Sequence, residues 1–340
     1  MAAHAWGEPP ASGEIRRCPE DFRVTETLGF EPDGEGEHLW LEVEKRGRNT
    51  ADVAAELAVA AGIGRRSVSF AGLKDRNALT RQTFSLHLPG CDDPDWQAWS
   101  IEGVKILKAH RSGRKLRRGR LSGNRFDLVV DGLAGDLDRL AERLCLVAAA
   151  GVPNGFGEQR FGGNNIARAH QLFRGELRGK AAKRKRGFYL SAARSLIFNR
   201  VLAERIAQGN WNRLIDGDIA MLEGSRSIFA ADADDPEQIR RIETNDIHPT
   251  GPLVGQGKLP VSGQARVIEE AVLVSESALT EGLARFGMQQ QRRALRVVPA
   301  DMSWRIENNR LSLSFSLPAG SFATAVLREI VRYTDASKLH

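Results

Sequence analysis

The sequence predicts an α/β protein in which a sheet-rich domain is interrupted by a second, mostly helical one. Three observations carry this. Apolar and polar residues alternate over short runs between Phe22 and Val130. Helical spacing takes over beyond a stretch crowded with Gly and Asn, 151–165, and alternation returns between Leu295 and Leu317. On that pattern the first domain is discontinuous, 1–151 and 303–340, and the inserted one spans 152–302. A length of 340 residues with 41% hydrophobic content is enough for two ordinary cores.

In chain order, a Pro19-Glu20-Asp21 turn follows Arg16 and Arg17 and enters a short strand through Phe22 and Val24. A Gly, Asp and Glu loop then leads to a strand whose Leu39, Leu41 and Val43 face one way. His38 with Asp33, Glu35 and Glu37 fits a solvated turn better than a metal site. Asn49 and Thr50 suit a helix N-cap, Val53, Leu57 and Ala61 share a face, and Gly62 stops a helix over about 51–61. Ser67–Phe70 and Thr83–Leu88 read as strands flanking a polar bend, with Lys74 and Asp75 side by side where the first strand ends. Val104–Lys108 is a strand, Ser122-Gly123-Asn124 a turn, Phe126 to Val130 a further strand, and Leu137–Ala150 a helix. The inserted part holds a helix over Tyr189–Gln208, a strand over Met221–Phe229 and a loop over His248–Lys258. That loop is not a Walker A motif, because Leu259 stands where Ser or Thr would hold magnesium, so an NTPase is excluded. Strands over Leu295–Val298, Met302–Ile306 and Arg310–Leu317 precede a helix over Phe322–Tyr333.

Charge narrows the partner. The balance of 49 Lys and Arg against 43 Asp and Glu gives +6 and a pI near 9.5, and its distribution is uneven. Residues 105–120 hold Arg114, Lys115, Arg117, Arg118 and Arg120 among eight cations, without one carboxylate. A second cluster comprises Arg178, Lys180, Lys183, Arg184, Lys185 and Arg186. Such runs concentrate positive potential for a polyanion, and nucleic acid is the natural partner. Cys18, Cys91 and Cys145 are an odd number without CxxC spacing, which points to reduced thiols in a cytoplasm rather than zinc or disulfides. Charges interrupt every long apolar stretch, so no membrane span is expected, and the first residues lack the apolar centre of a signal peptide. The sequence leaves the oligomeric state open, with a monomer favoured.

A Lys-Asp pair in a turn is usually solvated surface, yet a side chain where a strand gives out can reach a cleft while its backbone stays in a sheet. Five segments shift that balance: CPEDFRVTE with GFEPDGEGEHL, SFAGLKDRNALTRQ, SGNRFDL, VPNGFGEQRFGG and LPAGSFATAVLREI. In order and spacing they resemble the pseudouridine synthase D family, the tRNA pseudouridine-13 synthases. The resemblance implies a mixed, largely antiparallel sheet of the α+β pseudouridine synthase fold with a family-specific inserted domain. It carries the active-site Asp onto Asp75 and substrate-binding roles onto Phe22, Lys74, Asn124, Phe126 and Phe322. Arg16 stands where a Lys is common in the family. The resemblance implies tRNA as substrate, with a uridine of the D arm as target, and neither metal nor cofactor. A non-catalytic RNA-binding or RNA-chaperoning protein is the alternative.

The implied reaction breaks the N1–C1′ glycosidic bond of uridine, turns the uracil, joins C5 to C1′ and releases the C5 proton. A carboxylate can attack the sugar, stabilise positive charge at C1′, or take a proton from C2′; the sequence leaves these routes open. The base must leave its stack, and Phe126 and Phe322 are the rings expected to receive it. Asn124 is expected to bond Asp75 or the uracil edge. The basic residues are expected along the RNA backbone.

Overall fold

The computed structural model describes residues 3–177 and 179–338. Arg178 therefore lies outside the described residues, as does the side chain of Lys180. The chain divides into two compact units, one built from Ala11–Leu137, Pro299–Gly320 and Val331–His340, the other from Met1–Pro10, Asp138–Val298 and Ser321–Ile330.

The first unit is organised on a ten-stranded sheet. Its early strands are β1 Ala11–Ile15, β2 Phe22–Thr27, β3 His38–Arg46, β4 Val68–Phe70, β5 Leu79–His87, β6 Val104–Ser112 and β7 Gly123–Gly135. The strand order runs Ala300–Glu307, Arg310–Pro318, β7, β2, β5, β3, β6, with β1 joined to β7 and Val331–Asp335, and β4 joined to β5. Only the β2–β5 and β1 to Val331–Asp335 pairings are parallel. The sheet is thus mixed and largely antiparallel, as expected. Alternation explains which face is covered. Leu39, Leu41 and Val43 point one way, fully buried against Val53 and Leu57 of helix α1, Thr50–Ala60, and against Phe84 and Leu86. Each such side chain contributes about 1.5–3 kcal/mol, and Leu41→Ala costs about 2–5 kcal/mol.

Several local readings need correction. Gly123 and Asn124 are not a turn but the first residues of β7, paired with Pro318 and Leu317 on one side and Thr27 and Glu26 on the other. A Cβ at Gly123 would lie 2.5 Å from the Leu317 carbonyl oxygen, so this glycine serves close strand approach rather than a bend. The β5 strand begins at Leu79, earlier than Thr83, because its ladder to β3 continues to Arg46. The helix near the C-terminus stops at Ile330, and Val331–Asp335 forms a strand instead. Its ladder to β1 overrides local helical spacing.

The second unit is mainly helical. It contains α2 Leu137–Ala150 from Asp138 on, α3 Asn165–Phe173 and α4 Lys180–Ala207. Its core gathers Leu172, Phe173, Tyr189, Ala193, Ile197, Val201 and Leu279. Helix α4 starts well before Tyr189, so Lys183, Arg184, Lys185 and Arg186 are helical; Lys and Arg are good helix formers, and these four sit on exposed turns. Met221–Phe229 is a hairpin of Ile219–Leu222 and Ile228–Ala230, and half of the expected His248–Lys258 loop belongs to the buried strand Ile247–Leu253. Two buried ion pairs, Arg205 with Asp218 and Arg292 with Glu269, cross this core. Among the described residues no helix is long and apolar enough to cross a membrane.

Candidate active site

Asp75 ends a short segment, 71–75, whose backbone polar groups are tied to the sheet unit one after another. The Ala71 carbonyl accepts from the Gly119 N–H at 2.8 Å. The Gly72 carbonyl accepts from Gln82 Nε2 at 3.2 Å. The Lys74 N–H donates to Thr50 Oγ1 at 3.0 Å, and Thr50 in turn donates to Gln82 Oε1 at 2.9 Å. The Asp75 carbonyl accepts from Lys45 Nζ at 2.8 Å, and the same ammonium donates to the Arg48 carbonyl at 2.7 Å. Thr50, Gln82 and Lys45 are all buried. A loop held this way loses little entropy when its side chain engages a ligand, which is what chemistry on a loop requires. Thr50, expected as a helix cap, makes no cap bond here and holds this segment instead.

Lys45 is one residue that sequence reading missed. Leu39, Leu41 and Val43 define the covered face of β3, and the same step of two puts Lys45 on it, so alternation carried to the strand end would have found it. Its ammonium is fully buried. Burial pulls its pKa down to about 8; the Asp75 charge opposes that shift and Lys74 adds to it.

The cation on the Asp75 carboxylate is Arg16, not Lys74. Arg16 Nη2 donates to Asp75 Oδ2 at 2.7 Å, and Nη1 donates to Asp335 Oδ2 at 2.9 Å. Its guanidinium lies 3.9 Å over the Phe22 ring. The arrangement is held against cost: Arg16 has a left-handed backbone, φ 58°, and its Nε is buried without an acceptor. An orphaned buried donor costs about 1–3 kcal/mol, offset here by two charge-assisted bonds. Asp335 is itself fixed by Ser337 Oγ at 2.6 Å. Burial raises the Asp335 pKa, but the Ser337 bond and Arg16 outweigh it and leave the group below its ordinary value. The Asp75 side chain keeps a third of its surface exposed.

Lys74 points the other way along the chain, as neighbours near a strand end do. Its Nζ lies 3.0 Å from Glu26 Oε1 and donates to Asn124 Oδ1. Both charged side chains are almost wholly buried, at 6% and 1% exposure. Glu26 Oε1 has the ion pair but no aligned hydrogen bond, while its Oε2 accepts from the Thr83 N–H. An ammonium can only donate, so the Asn124 amide must turn its oxygen to Lys74 and leave its NH2 as a donor for something else.

The other expected site residues divide. Phe22 and Phe126 are buried, Phe126 stacked on Phe315 with centroids 5.5 Å apart and edge-on to Phe22 at 6.5 Å. These rings form a floor beside Arg16, with 7% of Phe126 exposed. Phe322 belongs to the helical unit, half-buried against Phe156 at 6.1 Å, with the Arg160 guanidinium 5.9 Å from its ring. Arg160, on the expected elbow, was not singled out from sequence. In the sheet unit, Arg114, Lys115, Arg117, Arg118 and Arg120 are all exposed around a buried Leu116, which packs with Trp40 and Ala71. Trp40 Nε1 donates to the Arg114 carbonyl at 2.9 Å, which ties this basic loop to β3, while the Gly119 N–H on the Ala71 carbonyl and Leu116 against Ala71 tie it to the segment that carries Asp75. Lys183, Arg184, Lys185 and Arg186 are exposed on the first turns of α4.

Comparison with known proteins gives a consistent result. The sequence profile of the family described as tRNA pseudouridine synthase D matches residues 1–183 and 180–330. The tRNA pseudouridine synthase D of Hydrogenovibrio crunogenus is 48% identical over 332 residues, covering 96% of this chain and 95% of its own. That of Methylococcus capsulatus is 47% identical over 332 residues, covering 97% and 94%. A crystal structure of tRNA pseudouridine synthase D from Methanosarcina mazei matches with a TM-score of 0.74 at 23% identity, covering 97% of this chain and 96% of that one. At that identity the structural likeness speaks for the fold.

Proposed function

This chain belongs to the tRNA pseudouridine synthase D family, and from that premise we propose that Asp75 is the reacting carboxylate of an enzyme whose target is uridine 13 of the tRNA D arm. The enzyme is an isomerase that converts uridine to pseudouridine in tRNA. The observation that supports Asp75 most strongly is the combination of a backbone tied at four of the five residues from Ala71 to Asp75 with a side chain still open to a ligand.

In this reading Arg16 orients the carboxylate and Asp335 orients Arg16. Asp75 acts at the sugar as the N1–C1′ bond breaks; C5 then bonds to C1′, the C5 proton leaves, and N1 ends protonated, so the product is an isomer and the carboxylate is regenerated. Asn124, fixed by Lys74 and Glu26, presents its NH2 to a uracil carbonyl, where a positioned donor stabilises charge that develops as the base departs. Phe22 and Phe126 form the apolar floor under the nucleotide. The two basic runs neutralise RNA phosphates. Residues 152–302 form the family-specific inserted domain.

Asp75→Asn tests the assignment. An unmodified tRNA transcript is incubated with each protein and pseudouridine is mapped at single-nucleotide resolution. The variant is expected to keep tRNA affinity within about threefold and to lose roughly 10⁴-fold or more in single-turnover rate. Near-wild-type turnover by the variant would remove Asp75 from the chemistry.

A further inference from the structure

The helical unit carries a concave surface with a mixed aromatic, amide and cationic lining. A recess of about 380 Å³ is lined by Asn164, Asn165, Arg168, Lys185, Phe188 and Tyr189. Residues 164–168 come from the N-cap and first turn of α3, and 185–189 from the early turns of α4. Tyr189 is a core residue at 8% exposure, whereas Phe188 is 54% exposed. A lone exposed phenylalanine needs no explanation. Here the ring borders a cavity and has cations on both helices beside it. Among the described residues neither Arg168 nor Lys185 has an ion-pair partner, and Arg168 bonds only Gln171, at 3.1 Å. The exposed residues 183–186 are all cationic.

The chemistry of the lining selects the ligand. An aromatic face accepts an unstacked base without regard to sequence, and two unpaired cations suit the flanking phosphates. Asn164 and Asn165 can each donate to and accept from a base edge. The positive end of the α3 dipole adds to the field at the same place. The volume lies at the low end of the roughly 300–1,000 Å³ of ligand pockets, a size for one nucleotide rather than a folded partner.

We infer that this recess is a second nucleotide-binding site, in which an unstacked nucleotide of the tRNA substrate, separate from the reacting uridine, stacks on Phe188 with its phosphates at Arg168 and Lys185. The inference rests on the tRNA-modifying reading above. Its role is to grip the RNA, so that affinity comes partly from the helical unit.

The test uses the full chain and an unmodified tRNA transcript, with affinity measured by equilibrium binding over a range of salt. Phe188→Ala is expected to weaken binding by about 5- to 100-fold, the range for loss of one base–aromatic stack. Phe188→Trp is expected to restore it to within about twofold. Arg168→Ala should lower the log–log salt slope by about 0.7. Because Phe188 is exposed, its replacement leaves the core intact, and circular dichroism checks this. An Ala variant that binds tRNA as the wild type does, or a Trp variant as weak as the Ala variant, overturns the inference. Wild-type protein that forms no pseudouridine in the same transcript would instead overturn the functional reading on which it rests.

Discussion

The segment bearing Asp75 and the first turns of α4 are both polar, charged and open to solvent, yet they are built in opposite ways. In the first, four backbone groups between Ala71 and Asp75 have a fixed partner, and three of those partners are buried side chains. In the second, residues 183–188 are exposed in a row, and among the described residues Lys183, Arg184, Lys185 and Arg186 form no ion pair. The difference teaches how a fold separates reaction from retention. Chemistry needs one geometry held before the substrate arrives. Holding a long polyanion needs many charges that can adjust to it.

If that separation is real, damage to the tied segment must appear in rate and damage to the exposed cations in affinity. The largest effect after loss of Asp75 itself is expected at Asn124. Asn124→Asp keeps an oxygen for Lys74 but removes the NH2 donor, and its single-turnover rate should fall about 10²- to 10³-fold, as for a lost charge-stabilising donor. Transcript affinity should barely move. Wild-type turnover by this variant would mean that the amide donates to nothing in the reaction, and the contrast between the two regions would lose its clearest support.

The next effect concerns Lys45. Its folded pKa, near 8, lies below the unfolded value of about 10.4, so between these values the unfolded chain binds more protons and stability from this group rises with pH. Its penalty is fully present below about pH 8 and is relieved as pH climbs toward 10.4. Relative to Lys45→Met, the wild type should therefore gain about 1.5 kcal/mol between pH 8 and 9.5, read from denaturant unfolding of both proteins. The neutral amine still has hydrogens for both carbonyls, so Asp75 should not be released over that range. A parallel pH dependence in the two proteins would show that burial does not lower the Lys45 pKa, the folded protein holding this proton as firmly as the unfolded chain.

The smallest effects are expected at the basic loop of the sheet unit. Single Arg→Ala changes at Arg114 and Arg117 should each weaken transcript binding modestly and lower the log–log salt slope by about 0.7–0.9, without altering the single-turnover rate at saturation. An unchanged slope would take this loop off the RNA path and leave the α4 cluster as the charged surface to examine.

How much of this was legible in the sequence differs by residue. The strands of the sheet unit were, because one covered face imposes alternation, and Leu39, Leu41 and Val43 show it plainly. Lys45 was legible in principle but masked by its type: a lysine at a strand end reads as solvated. The choice between Lys74 and Arg16 as the partner of Asp75 was not legible, since the bond to Arg16 spans 59 positions and no local pattern encodes it. Asp335 was hidden for a related reason. Helical spacing was extended over Tyr333, and only the ladder to β1 makes 331–335 a strand. The basic residues around Leu116 were legible as charge, but their attachment through Trp40 depends on a tertiary contact.

The parallel pairing of β1 with Val331–Asp335 has a consequence in time. Arg16 and Asp335 are 319 positions apart, and a ribosome working at about 5–20 residues per second needs roughly 15–60 s to pass from one to the other. Throughout that interval β1 emerges with its parallel neighbour unmade and Arg16 without one of its two carboxylates. A nascent chain thus carries an incomplete grip on Asp75 until residue 335 has been translated, so maturation of the Asp75 carboxylate follows the clock of synthesis rather than that of local folding.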